Sequence, residues 1–106
     1  MANPWTGQVA ITLNGVPHAA KLTLGALAEL EAELGTGTLV ELVERFEAGR
    51  FSTRDVLMLV VAGLRGGGWS GTAGDLMAVE IGGGPVGAAR AAAELLARAF
   101  TVPEAR

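Results

Sequence analysis

The sequence predicts an α+β fold, mainly helical, in which an N-terminal β-hairpin packs on four or five short α-helices. Three observations predict it. Apolar residues alternate before an Asn-Gly pair, apolar residues then recur at helical spacing, and glycines separate the periodic segments. The length of 106 residues suits one domain. We therefore expect a single domain over residues 1–106, with the hairpin in 1–23, helices in 24–100 and a frayed tail in 101–106.

The hairpin is predicted from turn chemistry and register. Apolar residues occupy alternate positions from 9 to 13, and Asn14-Gly15 follows, a pair that tolerates the positive φ angles of a two-residue turn. The second strand then runs from residue 16 to about residue 22. In this register Pro17 stands opposite Thr12 at a non-hydrogen-bonded position, where its missing N–H costs no ladder bond. The other expected pairs are Val9–Ala20, Ile11–His18 and Leu13–Val16.

Capping residues and apolar spacing predict two helices after the hairpin. The first covers residues 24–34, begins after the N-cap residue Thr23 and ends at a glycine. The second opens with a capping box from Thr38 to Glu41, and we expect Glu41 to pair with Arg45 one turn later. The inward stripes expected are Leu24, Leu27, Leu30 and Leu34 in the first helix, then Leu39, Leu42, Val43 and Phe46 in the second.

The third helix is predicted to be the buried centre of the domain. It starts after Ser52, and apolar residues between 56 and 64 cover most of its circumference before Gly66-Gly67-Gly68. A short helix is expected over residues 75–81, and a final helix runs from Pro85 to about residue 100. The inward stripe expected for the final helix is Val86, Ala89, Ala93, Leu96 and Phe100.

Composition argues against several classes of function. The chain has no Cys, which removes disulfides and thiol nucleophiles, and its single His leaves zinc without enough nitrogen or sulfur ligands. A net charge of −3 without a Lys/Arg cluster argues against nucleic-acid binding. No apolar run approaches the ~20 residues of a membrane span, and the N-terminus lacks a signal-peptide pattern. We predict a cytoplasmic protein that binds neither nucleic acid nor membrane and uses no metal or cofactor.

No catalytic arrangement is predicted, so the chain is expected not to be an enzyme. Gly82-x-Gly84-x-x-Gly87 matches a dinucleotide fingerprint, but no βαβ unit surrounds it and Pro85 removes an N–H near the phosphate position. A loop and helix start is the better interpretation. His18 is interpreted as a structural strand residue, and the glutamates of the first two helices as solvated. A cleft with perturbed carboxylates around Glu29 or Glu33 would reopen the enzyme hypothesis.

Trp5 and Trp69 are the candidate partner-binding residues. Trp5 precedes the first strand and Trp69 lies in a glycine-rich loop. Two interpretations stay open, because both residues could cap the core or could anchor an interface, where tryptophan is enriched. The hairpin edges are a second candidate surface, since an uncovered strand invites strand addition by a partner.

Three stretches of the chain match one known family in their order and spacing. They are Ala2-Asn3-Pro4-Trp5-x-Gly7, Lys21-Leu22-Thr23-Leu24-Gly25-Ala26-Leu27-Ala28-Glu29-Leu30-Glu31 and Ala62-Gly63-Leu64-Arg65-Gly66-Gly67-Gly68. From residue 2 to about residue 100 the chain resembles the gene-transfer-agent family. Its members are small proteins from the tail gene clusters of phage-like particles in alphaproteobacteria, called tail tube or tail assembly chaperone proteins.

The resemblance implies a non-enzymatic role in building a phage-like tail, with no catalytic, cofactor or metal residues to transfer. A tail assembly chaperone would bind the tape-measure protein, or another tail subunit, before assembly. The alternative is a structural subunit retained in the particle. A chaperone would be absent from finished particles, whereas a subunit would be present in fixed stoichiometry. The protein could also form a homo-oligomer. It could be associated with the particle rather than free in the cytoplasm.

Leu57 and Val60 are expected to lie in the core through the third helix. Replacing either with Asp should abolish folding, because the substitution buries a charge without a partner. Circular dichroism and urea unfolding of each variant measure the effect. A double variant that stays folded would contradict the predicted architecture.

Overall fold

The computed structural model describes residues 8–35 and 37–100, which form two strands and five helices. The predicted α+β, mainly helical fold is confirmed. The predicted tail, residues 101–106, and Trp5 lie outside the described residues. The elements in chain order are β1 Val9–Leu13, β2 Val16–Ala20, α1 Leu24–Leu34, α2 Leu39–Glu47, α3 Thr53–Gly66, α4 Ala73–Met77 and α5 Gly84–Ala99.

The hairpin has the predicted register. β1 and β2 are antiparallel, with the pairs Val9–Ala20, Ile11–His18, Thr12–Pro17 and Leu13–Val16. Both turn residues adopt positive φ, 50° at Asn14 and 82° at Gly15, as a two-residue turn of this hand requires. β2 ends at Ala20, two residues before the predicted end, because the chain turns there toward α1.

The outer edge of β1 is partly covered, which corrects the expectation of an open hairpin edge. Leu13 forms an isolated bridge with Ile81, and the Gly82 N–H donates to the Thr12 carbonyl at 2.9 Å. The Asn14 N–H donates to the Glu80 carbonyl, and the Asn14 side-chain oxygen accepts from the Glu80 N–H. Strand addition is therefore blocked at the turn end of β1.

Side-chain caps begin α1 to α4. The Thr23 hydroxyl accepts from the Ala26 N–H, and the predicted capping box of α2 is present. The predicted N-cap residue of α3, Ser52, forms a full capping box with Asp55. A third capping box, which was not predicted, is formed by Thr72 and Asp75 and starts α4 two residues before the predicted helix. α4 also ends at Met77 rather than residue 81, because Ile81 pairs with the edge of β1.

α3 is the central helix, as predicted, and it lies against α1, α4, α5 and β2. Val60 is fully buried, which confirms its place in the core. Leu57 is only half-buried. We therefore expect Leu57→Asp to destabilise the protein less than Val60→Asp, a correction to the equal effect predicted above.

Two of the predicted inward stripes need correction. Leu24 is 84% exposed at the start of α1, where Ala26 is buried instead. In α5 the predicted stripe is right at Leu96, which is buried, and wrong at Val86, Ala93 and Phe100, which are exposed. Because so many residues of α5 are alanine, hydrophobicity alone does not show which side of the helix faces the core. The exposed Arg90 and Glu94 mark the solvent-facing side. The buried residues of α5 are Ala88, Ala91, Ala92, Leu95 and Leu96.

The glycine-rich end of α3 is where the hairpin docks. The Lys21 N–H donates to the Gly63 carbonyl at 2.8 Å. A Cβ on Gly66 would run into the Lys21 carbonyl, and a Cβ on Gly67 would run into the Ala19 carbonyl. Glycine at these positions therefore lets the strand backbone reach van der Waals contact with the helix end.

Gly66→Ala should lower the free energy of unfolding by about 1–3 kcal/mol, because the added methyl forces β2 away from α3. The matched control is Gly25→Ala in α1, where a Cβ would meet no atom closer than 3.9 Å. That control should leave stability unchanged or raise it by up to about 1 kcal/mol. Urea unfolding of both variants makes the comparison, and equal stability of the two would contradict the close approach.

Candidate partner-binding surface

An open apolar groove of about 820 Å³ lies between α3, α4 and the first turn of α5, and we call it the α3–α5 groove. Three large apolar side chains in it face solvent: Phe51 at 37% exposed, Met77 at 71% and Val86 at 66%. Its floor includes Val56, Leu57 and Val60 of α3. Exposed apolar surface gathered in one concave place is typical of a binding surface.

Local sequence explains how each exposed side chain reaches this groove. Phe51 lies in the loop between α2 and α3 and stacks on Phe46, with ring centroids 4.5 Å apart and planes 8° apart. Met77 is the last residue of α4, and no following helical turn covers its side chain. Val86 lies in the first turn of α5 beside Pro85, which favours a helix start.

An ion pair between Arg45 and Asp55 holds α2 against the start of α3, close to Phe51. Arg45 Nε donates to Asp55 Oδ2 at 3.1 Å and Arg45 Nη2 donates to Oδ1 at 2.8 Å. Asp55 Oδ2 also accepts from the Ser52 N–H at 2.9 Å. Asp55 is only 6% exposed, so this two-point contact fixes the loop that carries Phe51.

The pKa of Asp55 reflects competing effects. Burial raises the pKa of this carboxyl, but the hydrogen bonds from Arg45 and Ser52 outweigh burial and hold it below its ordinary range. The predicted Glu41–Arg45 pair is corrected, since Arg45 pairs with Asp55 and Glu41 Oε1 accepts from the Thr38 N–H. The buried Asp55 carboxylate offers Arg45 two acceptor oxygens and is less solvated than that of Glu41.

A second groove, of about 520 Å³, lies between α1 and α3, and we call it the α1–α3 groove. Its floor contains Leu30 and Met58, and Leu57 borders both grooves. Glu29 and Glu33, around which a cleft with perturbed carboxylates would reopen the enzyme hypothesis, line it from α1. Both glutamates are exposed, and Glu29 Oε1 lies 3.6 Å from Arg65 Nε. The two glutamates therefore form a charged wall of the groove and are not a buried carboxylate pair.

The structure brings Trp69 to neither groove. Trp69 is half-buried, packs against the core and lies against Gly71, while its backbone N–H donates to the Leu64 carbonyl at 2.9 Å. Its partner-binding role stays a prediction, as does that of Trp5 outside the described residues. Phe51 was not predicted as a site residue, although it is an aromatic residue in a loop between helices, the same signal that was used for Trp69.

The glycine motif before α5 is a loop and helix start. Its amide groups are used internally: Gly82 donates to Thr12, Gly84 to Ile81 and Gly87 to Gly83. Residues 8–35 and 37–100 contain no group of three or more His, Asp or Glu side chains placed to hold a metal ion. None of the described helices has the length and apolarity needed to cross a bilayer.

The fold and its grooves define the class, a small α+β protein whose described surface carries two apolar grooves. A family model described as "Phage tail tube protein, GTA-gp10" matches residues 6–102, and the chain belongs to this family. Membership supports a role in a phage-like tail among other tail proteins, and it suggests a structural rather than an enzymatic protein. No curated protein and no solved structure matches the chain.

Asp55→Asn should lower the free energy of unfolding by about 2–4 kcal/mol at neutral pH, because Arg45 loses its charged partner. Since the folded-state pKa of Asp55 is depressed, its stabilisation is present above the unfolded-state pKa and is lost as pH falls through the folded-state pKa. Urea unfolding from pH 7 into the acid range should therefore show a steeper loss of stability in the unsubstituted protein than in the variant.

The matched control is Asp75→Asn. Asp75 occupies the same position in the Thr72 capping box, but it is exposed and forms no ion pair within the described residues. We expect a clearly smaller loss of stability at neutral pH. Equal losses in the two variants would mean that Asp55 acts only as a capping residue.

Proposed function

We propose that this protein is a tail assembly chaperone that holds an apolar segment of the tape-measure protein, or of another tail subunit, in the α3–α5 groove before assembly. The observation that carries the proposal is the exposure of Phe51, Met77 and Val86 in one groove. A bound segment would remove these side chains from water, and full burial of a side chain of this size is worth about 1.5–3 kcal/mol.

The chemistry of the groove suits a transient hold. Met77 is unbranched and adapts to differently shaped neighbours, so the groove tolerates more than one apolar sequence. The groove opens to solvent, which lets a bound segment leave when its place in the tail becomes available. On this proposal the protein acts in the cytoplasm and needs no cofactor.

A structural subunit retained in the particle is the second candidate. The observation that favours it is the family description, which names a tail tube protein. In that role the same groove would face a neighbouring subunit permanently. Trp5 and Trp69 remain proposed partner contacts in either role, and Trp69 does not line the α3–α5 groove.

Co-purification distinguishes the two roles. A tagged copy is expressed with the neighbouring tail genes, captured proteins are identified by mass spectrometry, and finished particles are analysed separately. Capture of the tape-measure protein together with absence from particles supports the chaperone. Presence in particles at fixed stoichiometry supports the structural subunit and removes the chaperone role.

Val86→Asp should reduce capture of the tape-measure protein about tenfold, because it places a charge in the apolar groove. Val40→Asp is the matched control. Val40 is 65% exposed against 66% for Val86, and both lie in the first turn of a helix, where an acidic residue is tolerated. Val40 lies outside the groove. Equal capture by the two variants would show that the partner binds elsewhere.

A further inference from the structure

The α1–α3 groove combines an apolar floor with charged walls of opposite sign. Leu57, Met58 and Val61 of α3 form part of the floor and stay half-buried. α3 is apolar around most of its circumference, and a helix of that kind is normally covered on all sides. α1 and α4 leave these three side chains partly exposed, so the floor retains apolar surface that a partner could cover.

The walls of the groove differ in charge. Glu29 and Glu33 lie one helical turn apart on α1, while Arg54 and Arg65 lie about three turns apart on α3. Glu29 meets Arg65 at 3.6 Å across one end. At the other end, Glu33 and Arg54 form no ion pair within the described residues, so both charges are available to a ligand.

We infer that the α1–α3 groove binds an amphipathic α-helix of a partner protein. Its apolar stripe would lie on Met58 and Val61, a basic flank would lie over Glu29 and Glu33, and an acidic residue on the other flank would face Arg54. A groove between two helices accepts the ridge of a third. Two concave grooves from two copies of this chain would instead leave a void between them, which close packing disfavours.

The probes for the test are two synthetic helical peptides that share one leucine stripe. One has Lys along one flank and Glu along the other, and the second has Glu along both flanks. Their affinities for the full chain are measured by fluorescence anisotropy at low and high salt. We expect the Lys/Glu peptide to bind about tenfold more tightly, with the difference shrinking at high salt. Equal affinities would overturn the inference.

A charge-reversal variant locates the site. Glu29→Lys with Glu33→Lys should weaken the Lys/Glu peptide about tenfold. The control with the same change in net charge is Glu31→Lys with Glu44→Lys, because both residues are exposed and lie outside the groove lining. That control should bind nearly as the unsubstituted protein does. If both double variants weaken peptide binding equally, the effect comes from net charge alone, and the inference is overturned.

Two further outcomes separate this inference from the proposed function. If Val86→Asp abolishes peptide binding while the reversal at Glu29 and Glu33 does not, the peptide occupies the α3–α5 groove, and the inference fails while the proposed function stands. If sedimentation shows a dimer that the reversal at Glu29 and Glu33 makes monomeric, a second copy occupies the groove, which also overturns the inference.

Discussion

Close contact between β2 and the end of α3 is the constraint on which the rest of the structure depends. The hairpin has only two strands, which is too few for stability in water without another element to cover it. Gly66 and Gly67 let the carbonyls of Lys21 and Ala19 approach the helix, and the Gly63 carbonyl accepts the Lys21 N–H. Side chains at those glycines would separate the sheet from the helices.

The same central helix contributes to the core and to both grooves. Leu59, Val60 and Leu64 of α3 are fully buried, whereas Leu57 and its neighbours on the outward side are only half-covered. A helix that is apolar around most of its circumference is therefore fully covered on one side and only partly covered on the other. The Arg45–Asp55 contact keeps α2 and the adjoining loop in place at the margin of this outward side.

Features that depend on residues close together in the sequence were predicted, whereas features that depend on contacts between separate elements were missed. Strand alternation and the Asn14-Gly15 turn are local, so the hairpin register was predicted in full. The phase of α5 was missed because alanines distinguish its sides poorly. The true partner of Arg45 depends on where α2 meets α3, which spacing along one helix does not reveal. Met77 and Val86 are exposed because no other element packs over them, and only the assembled fold shows this.

The flanking contacts of the hairpin have a consequence for how copies of this protein meet. Pro17 has no N–H to offer on β2, the end of α3 stands beside Ala19, and Gly82 occupies the Thr12 carbonyl on β1. Backbone groups that would template an intermolecular sheet are thus absent or occupied at these points. A protein that exposes apolar grooves while its hairpin edges are blocked at these points favours association through side chains over growth of cross-β aggregates.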